Sequence, residues 1–280
     1  MTRTRLRRLS AVAAALLMAV TACSDPTPGG GSTSDNGATG SNKLTIAIAD
    51  DEPGVAAKAG TGYVGFDIDT AVYVAGKLGV PTANITWKVI PSQDREKVLE
   101  DGSVDLVVHT YSITPQRQQV VDFAGPYFVA HQDLLIRRND EELTSPEKLN
   151  GRTLCAAKGT TSAQYVLDNY KGKIKLITAN TWSECVENLN AGSVDAVSTD
   201  DLILAGFAAQ PEYKGVLKVI GKGFTDERYG IGIKKGNSDL VAKVNAALKS
   251  YIDDGSWKNS LERNVAPSGY KIPSPPAVGS

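Results

Sequence analysis

Leu99-Glu100-Asp101-Gly102-Ser103-Val104-Asp105 is answered 90 positions later by Leu189-Asn190-Ala191-Gly192-Ser193-Val194-Asp195. Each copy follows a stretch of helical spacing and runs into an apolar strand, so both read as helix, glycine stop, strand. What lies beyond the two strands differs. The first ends in Thr110-Tyr111-Ser112-Ile113-Thr114-Pro115-Gln116-Arg117, which offers hydroxyls and one cation. The second ends in Thr199-Asp200-Asp201, which offers anions. Ligands of α/β sheets gather at the carboxyl ends of strands. Two similar lobes, one presenting a positive group and the other a negative one, are suited to gripping a small zwitterion, which points to an amino-acid cleft.

Outward from the repeat, strands and helices alternate. Lys43–Ala49, Ile85–Val89 and Val104–Val108 read as strands, and Ile68–Leu78 as a helix with Asp67 placed to cap it. Arg95–Glu100 reads as a helix stopped at Gly102. In the second half, Arg152–Ala156, Ile174–Thr178 and Val194–Ser198 read as strands, and Thr161–Asn169, opened by Thr160, as a helix. Ile231–Lys234 reads as a strand before the amphipathic helix Asp239–Ile252. Alternation of this kind predicts mainly parallel sheets with helices on both faces.

The bulk composition fits a globular protein: 280 residues, 41% hydrophobic and 22% charged, with a net charge of -1. That length holds one large domain or two of ordinary size. Residues 1–22 carry Arg3, Arg5, Arg7 and Arg8 and no acids, so their removal takes the charge to -5. A mildly acidic chain gives no electrostatic case for nucleic-acid binding. A basic start, a short apolar run and small residues before Cys23 make residues 1–22 an export signal. The run from Ala11 to Val20 is too short to span a bilayer, which takes roughly 20 residues. Val20-Thr21-Ala22-Cys23 resembles a bacterial lipobox, in which the cysteine is lipidated and becomes the mature N-terminus; the bland alternative is an ordinary cleaved signal.

The segment after Cys23, up to residue 42, is Gly, Ser, Thr, Pro, Asn and Asp with almost nothing apolar, the composition of a flexible tether. The proline-rich end, residues 267–280, reads as a disordered tail. Cys155 and Cys185 remain; in an exported chain they suggest a disulfide, with two buried free thiols as the alternative. Neither His109 nor His131 has the spacing to complete a zinc set with them, so no metal is expected.

Six short motifs occur in order along the chain: Gly65-Phe66-Asp67-Ile68-Asp69, Gly102-Ser103-Val104-Asp105, Ser112-Ile113-Thr114-Pro115-Gln116-Arg117, Val121-Asp122-Phe123, Lys158-Gly159-Thr160-Thr161-Ser162 and Tyr229-Gly230-Ile231-Gly232. From Lys43 to about Leu261 this order resembles the family 3 bacterial extracellular solute-binding proteins of polar amino-acid ABC importers. Thr110–Thr114, Phe123–Tyr127, the two cysteines and Thr199–Gly206 look more narrowly like glutamate-binding lipoproteins of actinobacteria. The resemblance implies an α/β, two-lobed periplasmic-binding-protein-like (type II) fold with a hinge between lobes. Lobe 1 would take residues 43–129 plus 228–266 and lobe 2 residues 130–227, with ligand binding by lobe closure.

The resemblance also implies a ligand set. Arg117 would fork the α-carboxylate, as a guanidinium does better than an ammonium. Thr110 and Ser112 would add donors, and Asp200 would accept from the ammonium. The adjacent Asp201 has no such role and reads as a helix cap. Thr161, at a helix start suited to anions, would close on the carboxylate from lobe 2. Ser92 and Arg95 resemble the pair that holds the distal carboxylate in binders of acidic amino acids, and Lys58 lies where the family adds side-chain contacts. Trp182 reads as core or as a pocket wall.

Two features depart from the pattern. His131 stands where a small residue is expected near the hinge. The run Asp50-Asp51-Glu52 brings three acids near an acidic ligand; pointing inward, they would favour glutamine, asparagine or a basic amino acid.

The expected function is thus capture of glutamate, or a related acidic or amide amino acid (aspartate, glutamine, asparagine), for an ABC permease. The expected protein is a monomer, tethered by lipid to the outer face of the cell membrane and working without a cofactor. A tethered amino-acid sensor for a membrane signalling partner is the alternative. An enzyme on the same scaffold is a third: Gly-x-Ser-x-Gly is absent, and Gly230-Ile231-Gly232 opens no helix as a dinucleotide loop would.

Overall fold

The computed structural model describes residues 43–170 and 172–279. The expected signal peptide, the lipidation site Cys23 and the tether lie outside the described residues. The chain begins with β1 (Leu44–Ile48) and a small three-stranded sheet, β2 (Asp51–Glu52), β3 (Ala56–Ala59) and β4 (Gly62–Val64). Next come α1 (Phe66–Lys77), β5 (Ile85–Val89), α2 (Arg95–Glu100), β6 (Leu106–Val107), α3 (Arg117–Val120) and the long strand β7 (Val121–Ala130). The second half runs through β8 (Gln132–Arg137), β9 (Thr153–Ala157), α4 (Thr161–Asn169), β10 (Lys175–Ala179), α5 (Trp182–Asn190), β11 (Ala196–Asp200) and α6 (Asp201–Ala209). It closes with β12 (Leu217–Val219), β13 (Glu227–Lys234), α7 (Ser238–Asp253) and α8 (Ser256–Asn264).

Two five-stranded sheets carry the two lobes, ordered β5-β1-β6-β13-β7 and β10-β9-β11-β8-β12. In each, three parallel strands are followed by a strand running the other way. The repeated heptapeptide leads into the third parallel strand of each sheet. In both copies the final aspartate fastens the neighbouring strand from two sides. Asp105 N–H donates to Thr45 O over 2.8 Å while Thr45 N–H donates to Asp105 Oδ2 over 2.7 Å. Asp195 N–H donates to Thr153 O over 2.7 Å while Thr153 N–H donates to Asp195 Oδ2 over 2.8 Å. Gly102 and Gly192 end their helices in the left-handed region, φ 72° and 78°, where glycine bears no Cβ penalty.

Helical periodicity is read out as burial. Along α7, Val244, Ala247, Leu248 and Tyr251 are buried while Asp239 and Lys243 face water. Thr160 caps α4 by accepting from Ala163 N–H over 3.1 Å, as the sequence leads one to expect. Asp67 does not cap α1. Its N-cap position is Gly65, and the Asp67 carboxylate is buried inside the lobe. Cys155 of β9 and Cys185 of α5 are joined in a disulfide and fully buried.

The chain passes from the first sheet to the second at His131, between β7 and β8, and returns through residues 220–226. The unexpected histidine ties these crossovers together: its Nδ1 lies 2.8 Å from Thr225 O and 3.1 Å from the Asp226 carboxylate. Gln132 adds a bond of 2.6 Å from its Nε2 to Glu227 Oε1.

Residues 267–279 are not a loose tail: Tyr270, Ile272 and Val278 pack on the main core, and Gly279 N–H donates to Gly125 O over 2.8 Å. Prolines remove backbone donors without preventing an extended segment from burying its apolar side chains.

Candidate functional site

Seven of the eight side chains expected to hold the ligand line one narrow pocket between the lobes: Ser92, Arg95, Thr110, Ser112, Arg117, Thr161 and Asp200. Lys58, the eighth, is exposed on β3 and is not among the lining residues. Burial along β3 fades from Ala56 toward the hairpin turn, and Lys58 lies on the exposed part, so its place in the family's loop order does not bring it to the cleft.

The first lobe contributes a cationic floor. Arg117 opens α3 and donates through Nη1 to Ser112 O over 2.7 Å, with Glu96 3.1 Å from its Nε. Arg95, at the start of α2, is 2% exposed. Its Nε donates to Ser92 O over 2.9 Å and its Nη1 to His109 O over 3.1 Å. Both guanidinium groups lie over the ring of Tyr111, at 4.6 and 4.8 Å from its centroid. Burial, and after it the neighbouring Arg117, pulls Arg95 down to about 10, so it stays cationic at neutral pH.

Thr110 sits at the turn with φ 43°, an uncommon backbone for a β-branched residue. Two buried acids hold it there. Its N–H donates to Asp67 Oδ2 over 2.7 Å and its hydroxyl to Glu52 Oε1 over 3.1 Å. Asp67 also accepts from Tyr127 Oη over 2.7 Å. Burial raises Asp67 to about 6. Burial, then Asp67 and Asp51, raises Glu52 well above the usual carboxylate range, which favours its neutral form. The innermost member of the acidic run is therefore a structural acid facing Thr110 rather than an anion facing the cleft.

The second lobe contributes an acid. Asp200 ends β11 and is 5% exposed; its Oδ2 accepts from Tyr229 Oη over 2.5 Å, while its buried Oδ1 has no partner in the protein. Burial, then Glu227, pushes its carboxyl well above the usual range. A buried carboxylate oxygen is costly unless it accepts a hydrogen bond, so Oδ1 is suited to a donor entering the pocket. Thr161 opens α4 and donates to Glu227 Oε2 over 2.9 Å. Gly159, just before that helix, offers its carbonyl to Arg95 Nη2 and Arg117 Nη2, each over 3.0 Å. Asp51 meets the other lobe too, accepting from Ser183 N–H over 2.9 Å.

Beside the narrow pocket, and sharing Ser92 and Trp182 with it, is a cavity of about 350 Å³. Asp50, Asp51, His109 and Asn180 lie on its wall. His109 Nε2 lies 3.0 Å from Ile90 O and acts as the donor, since burial and Arg95 hold the ring neutral at about 3. Its Nδ1 is then an acceptor, buried and without a protein partner. Sequence reasoning missed His109, Asp67 and Gly159 as parts of the site. Gly159 was legible only as a motif letter, and the other two act through distant folding partners. Trp182 proves to be pocket wall and core at once, 4% exposed.

Among the described residues, no group of three or more His, Cys, Asp or Glu side chains is arranged to hold a metal ion. No helix among them is long and apolar enough to cross a membrane.

The profile of the bacterial extracellular solute-binding proteins, family 3, matches residues 44–266. The glutamate-binding protein GluB of Corynebacterium efficiens is 37% identical over 274 residues, covering 92% of this chain and 90% of that protein. The ABC transporter glutamine-binding protein GlnH of Bacillus subtilis is 35% identical over 194 residues, 69% of either chain. Among solved structures, an ancestral arginine-binding protein bound to arginine is 32% identical with a TM-score of 0.75, over 80% of this chain and 98% of that one. A profile match across nearly the whole described body, with a corynebacterial relative covered over 90% of its length, identifies the chain as a member of family 3 of the bacterial extracellular solute-binding proteins.

Proposed function

We propose that the protein is the substrate-binding component of an ABC importer and captures free glutamate between its lobes. The observation that carries this reading is the division of donors and acceptor across the cleft. Arg95 and Arg117 converge from one lobe on a single oxygen, and the other lobe presents the unpartnered Asp200 Oδ1. In this reading Arg117, with Thr110, Ser112 and Thr161, takes the α-carboxylate, and Asp200 takes the ammonium. Ser92 and Arg95 take the distal carboxylate, whose burial without a cation would cost several kcal/mol. The glutamate-binding relatives support the choice of ligand. Lys58 is left out of the set because its side chain faces solvent.

The family is one of extracellular proteins, and the reading adds a lipid anchor at Cys23 that keeps a monomer near its permease. Lobe closure would equally serve a membrane sensor. Catalysis is no part of the reading: His109 is neutral, buried and committed to Ile90, and His131 is tied into the crossovers.

A second reading rests on the neighbouring cavity. Its Asp50 and Asp51 carboxylates are acceptors, which suits a side chain ending in N–H donors, as in glutamine or a basic amino acid. Titration calorimetry of residues 43–280, stripped of carried-over ligand, separates the two. Heat with glutamate and aspartate supports the first reading; heat only with glutamine or arginine supports the second. Loss of glutamate uptake on gene deletion assigns transport, and intact uptake with altered metabolic signalling assigns sensing.

A further inference from the structure

The family match ends at residue 266, and the chain beyond it is held in place by both lobes. After α8, residues 266–268 form a short 3₁₀ turn that packs against α6 of the second lobe. Tyr270 then donates through Oη to Asp201 Oδ2 over 3.1 Å, while its ring lies 6.5 Å from that of Phe128 in β7 of the first lobe. The segment ends back on the first lobe, where Gly279 N–H meets Gly125 O over 2.8 Å. It therefore leaves one lobe, touches the other beside the crossovers, and returns.

Asp201 is the point of contact, and it is the acid for which the ligand reading has no use. Its Oδ1 accepts from Leu202 N–H over 2.9 Å and from His131 N–H over 3.2 Å, and its own N–H donates to His131 O over 2.8 Å. Asp201 thus joins three things: the first turn of α6, the crossover at His131 and the C-terminal segment. Its neighbour in the chain is Asp200, which lines the cleft.

We propose that residues 267–279 are a strap across the hinge, and that Tyr270, through Asp201, is a positioning residue. It holds the start of α6, and with it Asp200, in place across the pocket from Arg117. The strap acts on how the lobes meet. It adds no group to the ligand, so its effect falls on every amino acid alike. The consequence for ligand affinity rests on the proposed cleft function; the effect on lobe geometry does not.

Spin labels on Lys77→Cys and Leu167→Cys, one exposed position in each lobe, read the lobe-to-lobe distance by pulsed dipolar spectroscopy without any ligand. The comparison takes residues 43–280, the same chain with Tyr270→Phe, and a chain ending at Ala266. Both variants are expected to broaden and shift the distance distribution, with Tyr270→Phe leaving the melting temperature unchanged. Where an amino acid is bound, release should quicken about three- to tenfold for all ligands tested. Superimposable distributions for the three proteins would overturn the proposal. So would a lower melting temperature on truncation with unchanged distances, which would make the segment packing alone. If no amino acid binds to any of the proteins, the cleft reading fails while the distances still decide the strap.

Discussion

Arg95 and Arg117 donate to the same carbonyl oxygen, that of Gly159, each over 3.0 Å and from the starts of α2 and α3 in the first lobe. Two guanidinium groups side by side repel each other, and the Tyr111 ring beneath both offsets part of that repulsion. The arrangement is suited to an anion. Arg117→Ala is expected to abolish binding of all amino acids, a loss of at least about 30-fold, since truncating one partner of a buried charge pair costs roughly 2–5 kcal/mol. Arg117→Lys should restore little, because an ammonium cannot reproduce the fork. Calorimetric titration reads both, and near-normal affinity in Arg117→Ala would remove that residue from the carboxylate clamp.

Gly159 gives a separate handle on closure. Its φ is +73°, and a Cβ there would stand 2.5 Å from Gln93 Cα of the facing lobe. Gly159→Ala is therefore expected to hold the lobes apart and weaken every ligand about tenfold or more while the fold persists. Small-angle scattering of the variant should show a more open particle. Unchanged affinity and scattering would mean that the loop yields without disturbing closure.

These contacts mark where sequence reading succeeds and where it stops. The heptapeptide repeat carried the two-lobe architecture, because helix stops and strand starts are set by residues close together in the chain. Arg117 and Asp200 were placed at the pocket on similar grounds: Asp200 ends a buried strand and Arg117 lies on the segment that leaves another, at the end where such sheets bind ligands. Asp67 was misread as a cap because its partners, Thr110 and Tyr127, lie 43 and 60 positions away. Glu52 looked like a threat to an acidic ligand. Only its burial and its bond to Thr110 show that it faces inward as a structural acid. The tail looked disordered by composition, and contacts with Gly125 and Asp201 that composition does not encode put it in place.

The buried acids predict an unusual pH profile. Asp67 titrates at about 6 against an ordinary 3.8, and Glu52 and Asp200 are raised well above their ordinary values. Between their ordinary values of 3.8 to 4.5 and their raised ones, these three groups hold protons in the folded form that the unfolded chain has released, so stability falls as pH rises through that window. His109 acts in the opposite sense between about 3 and its ordinary 6.5, but it is one group against three. The melting temperature of the ligand-free protein should be higher at pH 5 than at pH 7 at constant ionic strength. A higher value at pH 7 would show that these acids ionise freely.

The Cys155–Cys185 bridge ties β9 to α5 and closes an interval of 30 residues. Loop entropy then assigns it about 3 to 4 kcal/mol. Replacing both cysteines with serine should lower the denaturant midpoint by a corresponding amount while glutamate affinity changes little, because neither sulfur reaches the cleft. Denaturant titration with parallel calorimetry distinguishes this from a bridge that shapes the site.

The assignment of Arg95 to the ligand's distal carboxylate is tested most directly by a paired titration. Glutamate and glutamine differ only at that end, so their affinities are compared in the wild-type protein and in Arg95→Ala. The account predicts tighter glutamate binding in the wild type, and a loss on substitution at least about tenfold larger for glutamate than for glutamine. Equal losses for the two ligands, or a wild-type protein that is silent to glutamate, would contradict it.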